Sequence, residues 1–147
     1  MARIKLQYDM LGGRLKSIGS AEIRYGKLGS RPEQLGDVTL HYDLLGGRLK
    51  SIGDMELEYD MLGSRPKRLG HLELQYDALE SRLQAIGDIK LTYHKLGSRL
   101  KRIGEMELVY DALGSRAKYV VTANDETELT GVMLTVLFFA LSESTSS

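Results

Sequence analysis

The stretch LGGRLKSIG at residues 11–19 occurs again unchanged at residues 45–53, two 17-residue periods further along the chain. Repeats of fixed period decide a fold before any other signal, and this period is carried by three unbroken ladders. They are formed by a tyrosine, a leucine and an arginine: Tyr8, Tyr25, Tyr42, Tyr59, Tyr76, Tyr93 and Tyr110; Leu11, Leu28, Leu45, Leu62, Leu79, Leu96 and Leu113; Arg14, Arg31, Arg48, Arg65, Arg82, Arg99 and Arg116. The ladders define seven tandem repeats over residues 3–121.

Each repeat contains a segment with strict alternation. In the first repeat Ile4, Leu6 and Tyr8 are apolar or aromatic, whereas Lys5 and Gln7 between them are polar. A period of two is typical of a strand buried on one face. A second segment, residues 14–18, alternates less clearly but lies between two turn signals. Each repeat is therefore predicted to hold two strands.

The two turn signals predict a β-hairpin. Gly19-Ser20, with its equivalents at residues 36, 53, 70, 87 and 104, fits a two-residue hairpin turn that needs positive φ at its glycine. The other connection begins at Asp9 and reaches Gly12, which suits a type I turn closed by a left-handed glycine.

The Gly-Ser turn also sets a register. Residues whose numbers sum to 39 should face each other, and each later repeat adds 34 to that sum. Arg14 then lies beside Tyr25, where its guanidinium can stack on the ring. On the other face, the same rule pairs Arg102 with Glu107 and Arg68 with Glu73 as favourable cross-strand charges.

The sequence therefore predicts a mainly β fold of stacked hairpins in an antiparallel meander. Fourteen strands at roughly 4.8 Å spacing make a ribbon of about 65 Å, and long sheets coil because strands twist. We expect a coiled antiparallel strip. The alternative is a solenoid-like parallel arrangement with one 17-residue coil per turn, which suits the ladders equally well but not the two-residue turns.

The string YDMLGGRL at residues 8–15 resembles the YD repeats of bacterial Rhs-type proteins, which form long β-hairpin strips that spiral into shells. It is more similar still to short bacterial tandem-repeat proteins with the pattern Tyr-Asp-x-Leu-Gly-x-Arg-x-x-x-Ile-Gly. This chain departs from the Rhs pattern by an extra residue between Gly12 and Arg14 and by a shorter period, and Gly26 and His94 replace the aspartate. The resemblance implies a stacked-hairpin strip and no activity.

A C-terminal apolar helix is predicted over residues 125–142, followed by a disordered tail at 143–147. Asp125 suits the N-cap position and Glu128 the third helical position of a capping box. The apolar side chains then cover every face of the helix, which is typical of a helix buried on all sides. The residues expected to form an oligomer interface are Leu129, Val132, Met133, Val136, Leu137, Phe138, Phe139 and Leu141.

Three roles for this helix follow from its composition. It could cap the last hairpin, because repeat arrays usually need covered ends. It could instead meet copies of itself from other chains, or fill the concave side of a coiled strip; this pair of arrangements is preferred because it covers both apolar faces. A membrane anchor is disfavoured, since the apolar run is about half the ~20 residues needed to span a bilayer.

Composition narrows the function. Twenty basic residues balance twenty acidic ones, which argues against nucleic acid as a partner. The absence of cysteine removes disulfides and thiolate chemistry. The chain enters its first repeat without a signal peptide, so a cytoplasmic protein that does not bind membranes is expected.

No recurring residue suggests catalysis. The three histidines, His41, His71 and His94, occupy different repeat positions and are expected to be ordinary exposed residues. The aspartate ladder that begins at Asp9 is interpreted as turn capping beside arginine rather than as calcium sites, which need several oxygen ligands each. The tyrosines are assigned to the core, although aromatic ladders can also stack on bases or sugars.

The function predicted from sequence is a non-enzymatic structural repeat protein, without cofactors or metals. It would act as a self-associating scaffold or adaptor, with homo-oligomerisation through the helix. The alternative is a binding module that uses the repeat face or a sheet edge to hold a peptide, a glycan or a protein partner.

Overall fold

The computed structural model describes residues 2–10, 13–27, 31–44, 47–61, 65–78, 82–95, 99–111, 116–123, 129 and 131–145, and the side chains of all of these except residues 144 and 145. The leucine ladder, Gly12 and the predicted capping residues Asp125 and Glu128 lie outside the described residues.

The described residues form fourteen β-strands and one α-helix. The strands are β1 Ala2–Tyr8, β2 Leu15–Ile18, β3 Ala21–Tyr25, β4 Pro32–Leu35, β5 Val38–Tyr42, β6 Leu49–Ile52, β7 Met55–Tyr59, β8 Pro66–Leu69, β9 Leu72–Tyr76, β10 Leu83–Ile86, β11 Ile89–Tyr93, β12 Leu100–Ile103, β13 Met106–Tyr110 and β14 Ala117–Thr122. Each strand pairs antiparallel with its neighbours in sequence, which confirms a mainly β fold of antiparallel strands. The solenoid alternative is wrong.

The sheet closes on itself, so the prediction of an open coiled strip is also wrong. Strand β1 pairs antiparallel with β14, with Arg3 opposite Val121 and Ile4 opposite Val120, and the result is a closed barrel. Closure is favoured in general because it removes unpaired sheet edges. In this barrel it also completes the ladder of arginine and tyrosine contacts. It brings Arg116, the last arginine of its ladder, to 4.5 Å from the ring of Tyr8, the first tyrosine of its ladder.

The short turns and their register agree with the sequence. The glycines at 19, 36, 53, 70, 87 and 104 all have positive φ, between 59° and 63°. Ile18 faces Ala21, Arg68 faces Glu73 and Arg102 faces Glu107, as predicted. In the longer connections, the described glycines with positive φ are Gly13 (68°) and Gly47 (69°).

A β-bulge recurs in the hairpins with long connections. In the first of them Gln7 faces Ser17 but Tyr8 faces Leu15, so Lys16 is an extra residue on β2. The bulge lets Leu15 and Ile18, three residues apart, both face the inside of the barrel. This is why the second segment of each repeat does not alternate.

The helix α1, Gly131–Thr145, lies inside the barrel. Seven consecutive residues, 134–140, are at most 5% exposed, so two full turns are covered on every side. All of them except Thr135 belong to one core cluster with the inward side chains of the strands, and the helix lies against β10 and β12. The helix therefore fills the inside of its own sheet, one of the arrangements considered from sequence. It continues to Thr145, three residues beyond its predicted end, so residues 143–145 are helical rather than part of a disordered tail.

The dimensions suit this arrangement. Fourteen strands about 4.8 Å apart, tilted by about 40°, enclose a cylinder roughly 28 Å across. An α-helix with its side chains is about 10–12 Å across. One helix therefore fits with its side chains in contact with those of the wall. None of the helices among the described residues has the length and hydropathy needed to cross a membrane.

The two ends of the barrel carry opposite charges that match the dipole of the helix. The N-terminal turn of α1 lies beside short turns that carry Asp37, Asp54, Asp88 and Glu105. The C-terminal turn lies beside the long connections, which carry the arginine ladder. Because a helix is partially positive at its N-terminus and negative at its C-terminus, this direction of insertion is electrostatically favoured. We call the end with the long connections the arginine mouth.

Candidate binding site

Stacked arginine and tyrosine side chains line the arginine mouth. Each of the seven ladder arginines lies over the tyrosine of the adjacent hairpin, with 3.8–4.5 Å between guanidinium carbon and ring centroid. The register predicted this contact for Arg14 and Tyr25, which are 3.8 Å apart. Each guanidinium thus lies over the face of a ring, where the cation meets the negative face of the aromatic system.

The tyrosine hydroxyls extend the same pattern. Tyr25 donates to the carbonyl oxygen of Leu15 at 2.5 Å and Tyr76 to that of Pro66 at 2.6 Å, and Tyr110 donates equivalently to Leu100. The rings are half-buried. Burial disfavours the phenolate and raises the pKa of every ladder tyrosine, to about 12 for Tyr8 and Tyr42.

Removing one hydroxyl at the seam tests the closure of the barrel. The hydroxyl of Tyr8 donates to the carbonyl oxygen of Ala117 at 2.6 Å, across the β1–β14 seam. We expect Tyr8→Phe and Tyr76→Phe to lower the free energy of unfolding by similar amounts, about 1 kcal/mol, because both delete one hydrogen bond to a backbone carbonyl. Chemical denaturation of both variants measures this. A cost for Tyr76→Phe alone would mean that the seam is open.

Aspartates neutralise some of these arginines. Asp9 accepts from Arg14 Nε at 2.6 Å, Asp43 from Arg48 at 2.7 Å and Asp77 from Arg82 at 3.0 Å. This geometry agrees with the interpretation of the aspartate ladder as charge neutralisation. Asp111 differs, because one of its carboxylate oxygens lies 3.7 Å from Lys118 Nζ.

A cavity of about 380 Å³ opens at the arginine mouth, between α1 and the wall on the seam side. Its apolar lining residues include Leu15, Leu100, Ala117, Phe138 and Leu141, and its charged lining residues are Arg14, Arg99 and Arg116. We call it the mouth cavity. It lies among strands β1–β4 and β12–β14, so β12, which the helix also contacts, forms one border of the cavity.

The size of one side chain helps to explain the cavity. Ala117 occupies the repeat position held by leucine or proline in the other repeats: Leu15, Pro32, Leu49, Pro66, Leu83 and Leu100. Alanine is smaller than either, so the wall recedes where β14 meets β1.

The long connections around the mouth cavity are more basic than the others. Residues 9–14, 26–31, 94–99 and 111–116 carry four arginines with Lys27 and Lys95 but only Asp9 and Asp111 as acids, a net charge of +4. The connections at 43–48, 60–65 and 77–82 carry three arginines and four acids, a net charge of −1. The positive charge is thus concentrated on the side where the cavity opens.

His94 stands apart from the other histidines. His41 and His71 are exposed, as predicted, whereas His94 is half-buried. Its ring meets that of Tyr110 edge-on, with centroids 6.0 Å apart. Its Nε2 is buried and has no hydrogen-bond partner among the described residues. A polar atom without a partner therefore lies next to a tyrosine that lines the mouth cavity.

Glu143 occupies the opposite side of the helix from the mouth cavity. Its charge helps to raise the pKa of Tyr59, Tyr76 and Tyr93, and burial raises its own pKa above the ordinary value of 4.5. The folded state then holds this proton more tightly than the unfolded state, so stability falls as pH rises from 4.5 through the folded pKa.

We therefore expect Glu143→Gln to raise the melting temperature at pH 7 and to have little effect near pH 4, where the carboxyl is already protonated in both states. Thermal melts across this pH range measure the difference. The exposed Glu56, changed to Gln, controls for the loss of one negative charge. An equal gain at both pH values would contradict the assigned role of burial.

The residues predicted to form an oligomer interface are divided by the structure. Val136, Leu137, Phe138 and Phe139 are at most 4% exposed and lie inside the barrel, where the wall covers them. Leu129 and Leu141 are partly buried against the same core. Only Val132 and Met133, at 48% and 36%, have substantial exposure among these candidates.

Comparison with protein-family models, with curated proteins and with solved structures gives no match for this chain. The fold and the mouth cavity therefore have to be interpreted from their own geometry, which defines a closed β-barrel with a central helix and a cationic, partly apolar cavity at one mouth.

Proposed function

We propose that the chain is a non-enzymatic binding module, a self-contained barrel that holds its ligand at the arginine mouth. The observation that carries the proposal is the mouth cavity. It combines an apolar surface with several cations in one concave space of a size typical of ligand sites. It also lies where the repeat pattern is broken, at Ala117 and in the basic connections around the seam.

A role in binding is favoured over catalysis because the recurring polar side chains of the mouth are engaged in structural contacts. The ladder arginines stack on tyrosines, and the ladder tyrosines donate to backbone carbonyls. These contacts recur around the ring, as structural contacts do, whereas an active site needs a single local set of reacting groups. In the part of the chain that the structure describes, no cluster of three or more metal-ligating side chains occurs.

A self-associating scaffold remains the second candidate. Three apolar side chains on the long connections, Met10, Leu44 and Met61, are fully exposed. Apolar groups of this size in water are typical of contact surfaces when they are close together. We call these three side chains, Met10, Leu44 and Met61, the rim. If the chain assembles with itself, the rim supplies a more accessible surface than the enclosed helix. On the helix, Val132 and Met133 are the interface candidates with substantial exposure.

Absolute mass in solution, measured by light scattering, separates the two candidates. A binding module should be a monomer of 16.4 kDa. A multimer would overturn that proposal and support the scaffold. Two variants would then locate the contact: Met10→Ser with Leu44→Ser and Met61→Ser for the rim, and Val132→Ser with Met133→Ser for the helix start. The variant that restores the monomer identifies the surface.

A further inference from the structure

We infer that the mouth cavity binds an amphiphilic monoanion, a molecule with a linear apolar body and a single carboxylate or similar oxyanion at one end. This inference rests on the proposed function and adds the class of ligand. It follows from the presence of two kinds of surface within one cavity, an apolar inner part and a cationic outer part.

The inner part of the cavity suits an apolar chain. Phe138 and Leu141 from the helix face Leu15, Leu100 and Ala117 from the wall. Burial of apolar surface favours binding in proportion to the area removed from water. At about 30 Å³ for each heavy atom, as for liquid water, the volume of about 380 Å³ accommodates roughly a dozen heavy atoms.

The outer part suits an oxyanion. Arg14, Arg99 and Arg116 line the cavity from three connections that the seam brings together. Their guanidinium carbons lie over the rings of Tyr25, Tyr110 and Tyr8, at 3.8, 4.2 and 4.5 Å from the ring centroids. A guanidinium carries its N–H donors in one plane, around its edge. Planar, oriented donors of this kind bind carboxylates with charge-assisted hydrogen bonds.

Charge balance favours one negative charge over a neutral head group. The four connections around the cavity have a net charge of +4. Within them, the two acids are already close to cations: Asp9 lies 2.6 Å from Arg14, and Asp111 lies 3.7 Å from Lys118. The far side of the mouth has a net charge of −1 and Glu143, so an anion is favoured on the seam side only.

Decanoate is a suitable probe, used below its micelle-forming concentration and followed by titration calorimetry. Two further probes separate its parts: decan-1-ol has the same chain without the charge, and acetate has the charge without the chain. We expect decanoate to bind at least about tenfold more tightly than either, because only decanoate uses both surfaces.

Two variants test the location. Ala117→Leu restores the residue that the repeat holds elsewhere, so it should fold, and it should weaken decanoate binding at least about tenfold by filling the cavity. Arg116→Gln should weaken it about tenfold by removing a charged donor. Arg65→Gln deletes an equivalent stack on Tyr76, 4.3 Å away, on the far side of the mouth. It should leave binding within about twofold, because separated charges are screened by salt.

The outcomes are distinct. Loss of binding in Ala117→Leu and Arg116→Gln, but not in Arg65→Gln, supports the inference. Equal losses in Arg65→Gln, no effect of Ala117→Leu, or no binding of decanoate would overturn it. Binding of decan-1-ol as tightly as decanoate would overturn the anionic class and leave the binding module intact. The proposed function fails separately, if light scattering shows a multimer.

Discussion

Phe139→Ala is expected to lower the free energy of unfolding by about 3–5 kcal/mol, the range typical of deleting a buried aromatic side chain. Phe139 is 4% exposed and lies between the helix and the wall of its own barrel. Because a typical domain is held folded by only about 5–15 kcal/mol, this one substitution removes a large part of the total. Urea denaturation followed by circular dichroism measures the change.

Val132→Ala is the matched control for Phe139→Ala. Val132 lies on the same helix but is 48% exposed at the end of the barrel, so its replacement should cost less than about 1 kcal/mol. The mass in solution should stay that of a monomer for both variants. If Phe139→Ala instead left the stability unchanged and altered only the mass, the helix would be a contact between chains and its enclosed position would be wrong.

Raising the pH from 10 towards 12 is expected to unfold the barrel cooperatively. All seven ladder tyrosines have a pKa raised above 10.0 by burial, and those of Tyr8, Tyr42 and Tyr93 reach about 12. In this window the unfolded chain releases phenolic protons that the folded chain retains. The contribution of the ladder tyrosines to the free energy of unfolding is therefore fully present below pH 10, and it is lost as the pH rises through the folded pKa values.

The size of the effect comes from repetition. One pKa unit corresponds to about 1.4 kcal/mol. The pKa values of Tyr8, Tyr42 and Tyr93 rise from 10.0 to about 12. Even if half of the corresponding free energy is discounted because the rings are partly exposed to solvent, these three shifts together amount to roughly 4 kcal/mol, near the lower end of the ~5–15 kcal/mol that stabilises a typical domain. The raised pKa values of the other four ladder tyrosines act in the same direction.

Tyrosinate absorbance and circular dichroism, recorded together, should therefore show one joint transition between pH 10 and 12. Tyr76→Phe removes one of these buried phenols. When it is compared with the unchanged chain under conditions that give both the same free energy of unfolding at pH 7, its transition should lie at higher pH. Gradual ionisation near pH 10 with the barrel intact would contradict the assigned burial.

Much of the fold was predictable because short-range rules fix it. Alternation gave the inward face of β1, and the glycine turns gave the register that places Arg14 on Tyr25. The bulge was missed, although its signal is present: Leu15 and Ile18 are three residues apart, and two apolar residues at that spacing cannot share one face of a regular strand. The irregular second segment of each repeat was that signal.

Closure was missed for a different reason. The register pairs each ladder arginine with the tyrosine of the next repeat, which leaves Tyr8 and Arg116 without partners in an open strip. Their numbers sum to 124, as do those of Arg3 and Val121, which face each other at the seam. The two unpaired ladder residues therefore indicated the pairing of β1 with β14. Alternation and turn chemistry, however, concern neighbouring strands only and carry no information on strands at opposite ends of a chain.

The mouth cavity could not be predicted before the closure was known. The sequence shows that Gly26 and His94 replace the repeat aspartate, and that Lys27 and Lys95 follow them. These two connections are far apart in the chain, and only the closed sheet places both at borders of the mouth cavity, one next to Tyr25 and the other next to Leu100. The position of the helix against β10 and β12, which leaves the cavity open, depends on packing that no local pattern records.

The most direct test of the closed barrel is a disulfide across the seam. The chain has no cysteine, so Arg3→Cys with Val121→Cys introduces one defined pair at facing positions of β1 and β14, within reach of a disulfide. Glu107→Cys with Val121→Cys is the control, because β13 and β14 are paired whether the sheet is open or closed. We predict that both double variants form an intramolecular disulfide in the monomer under mild oxidation. A bond in the control pair, with none or only intermolecular bonds in the seam pair, would show that the sheet does not close.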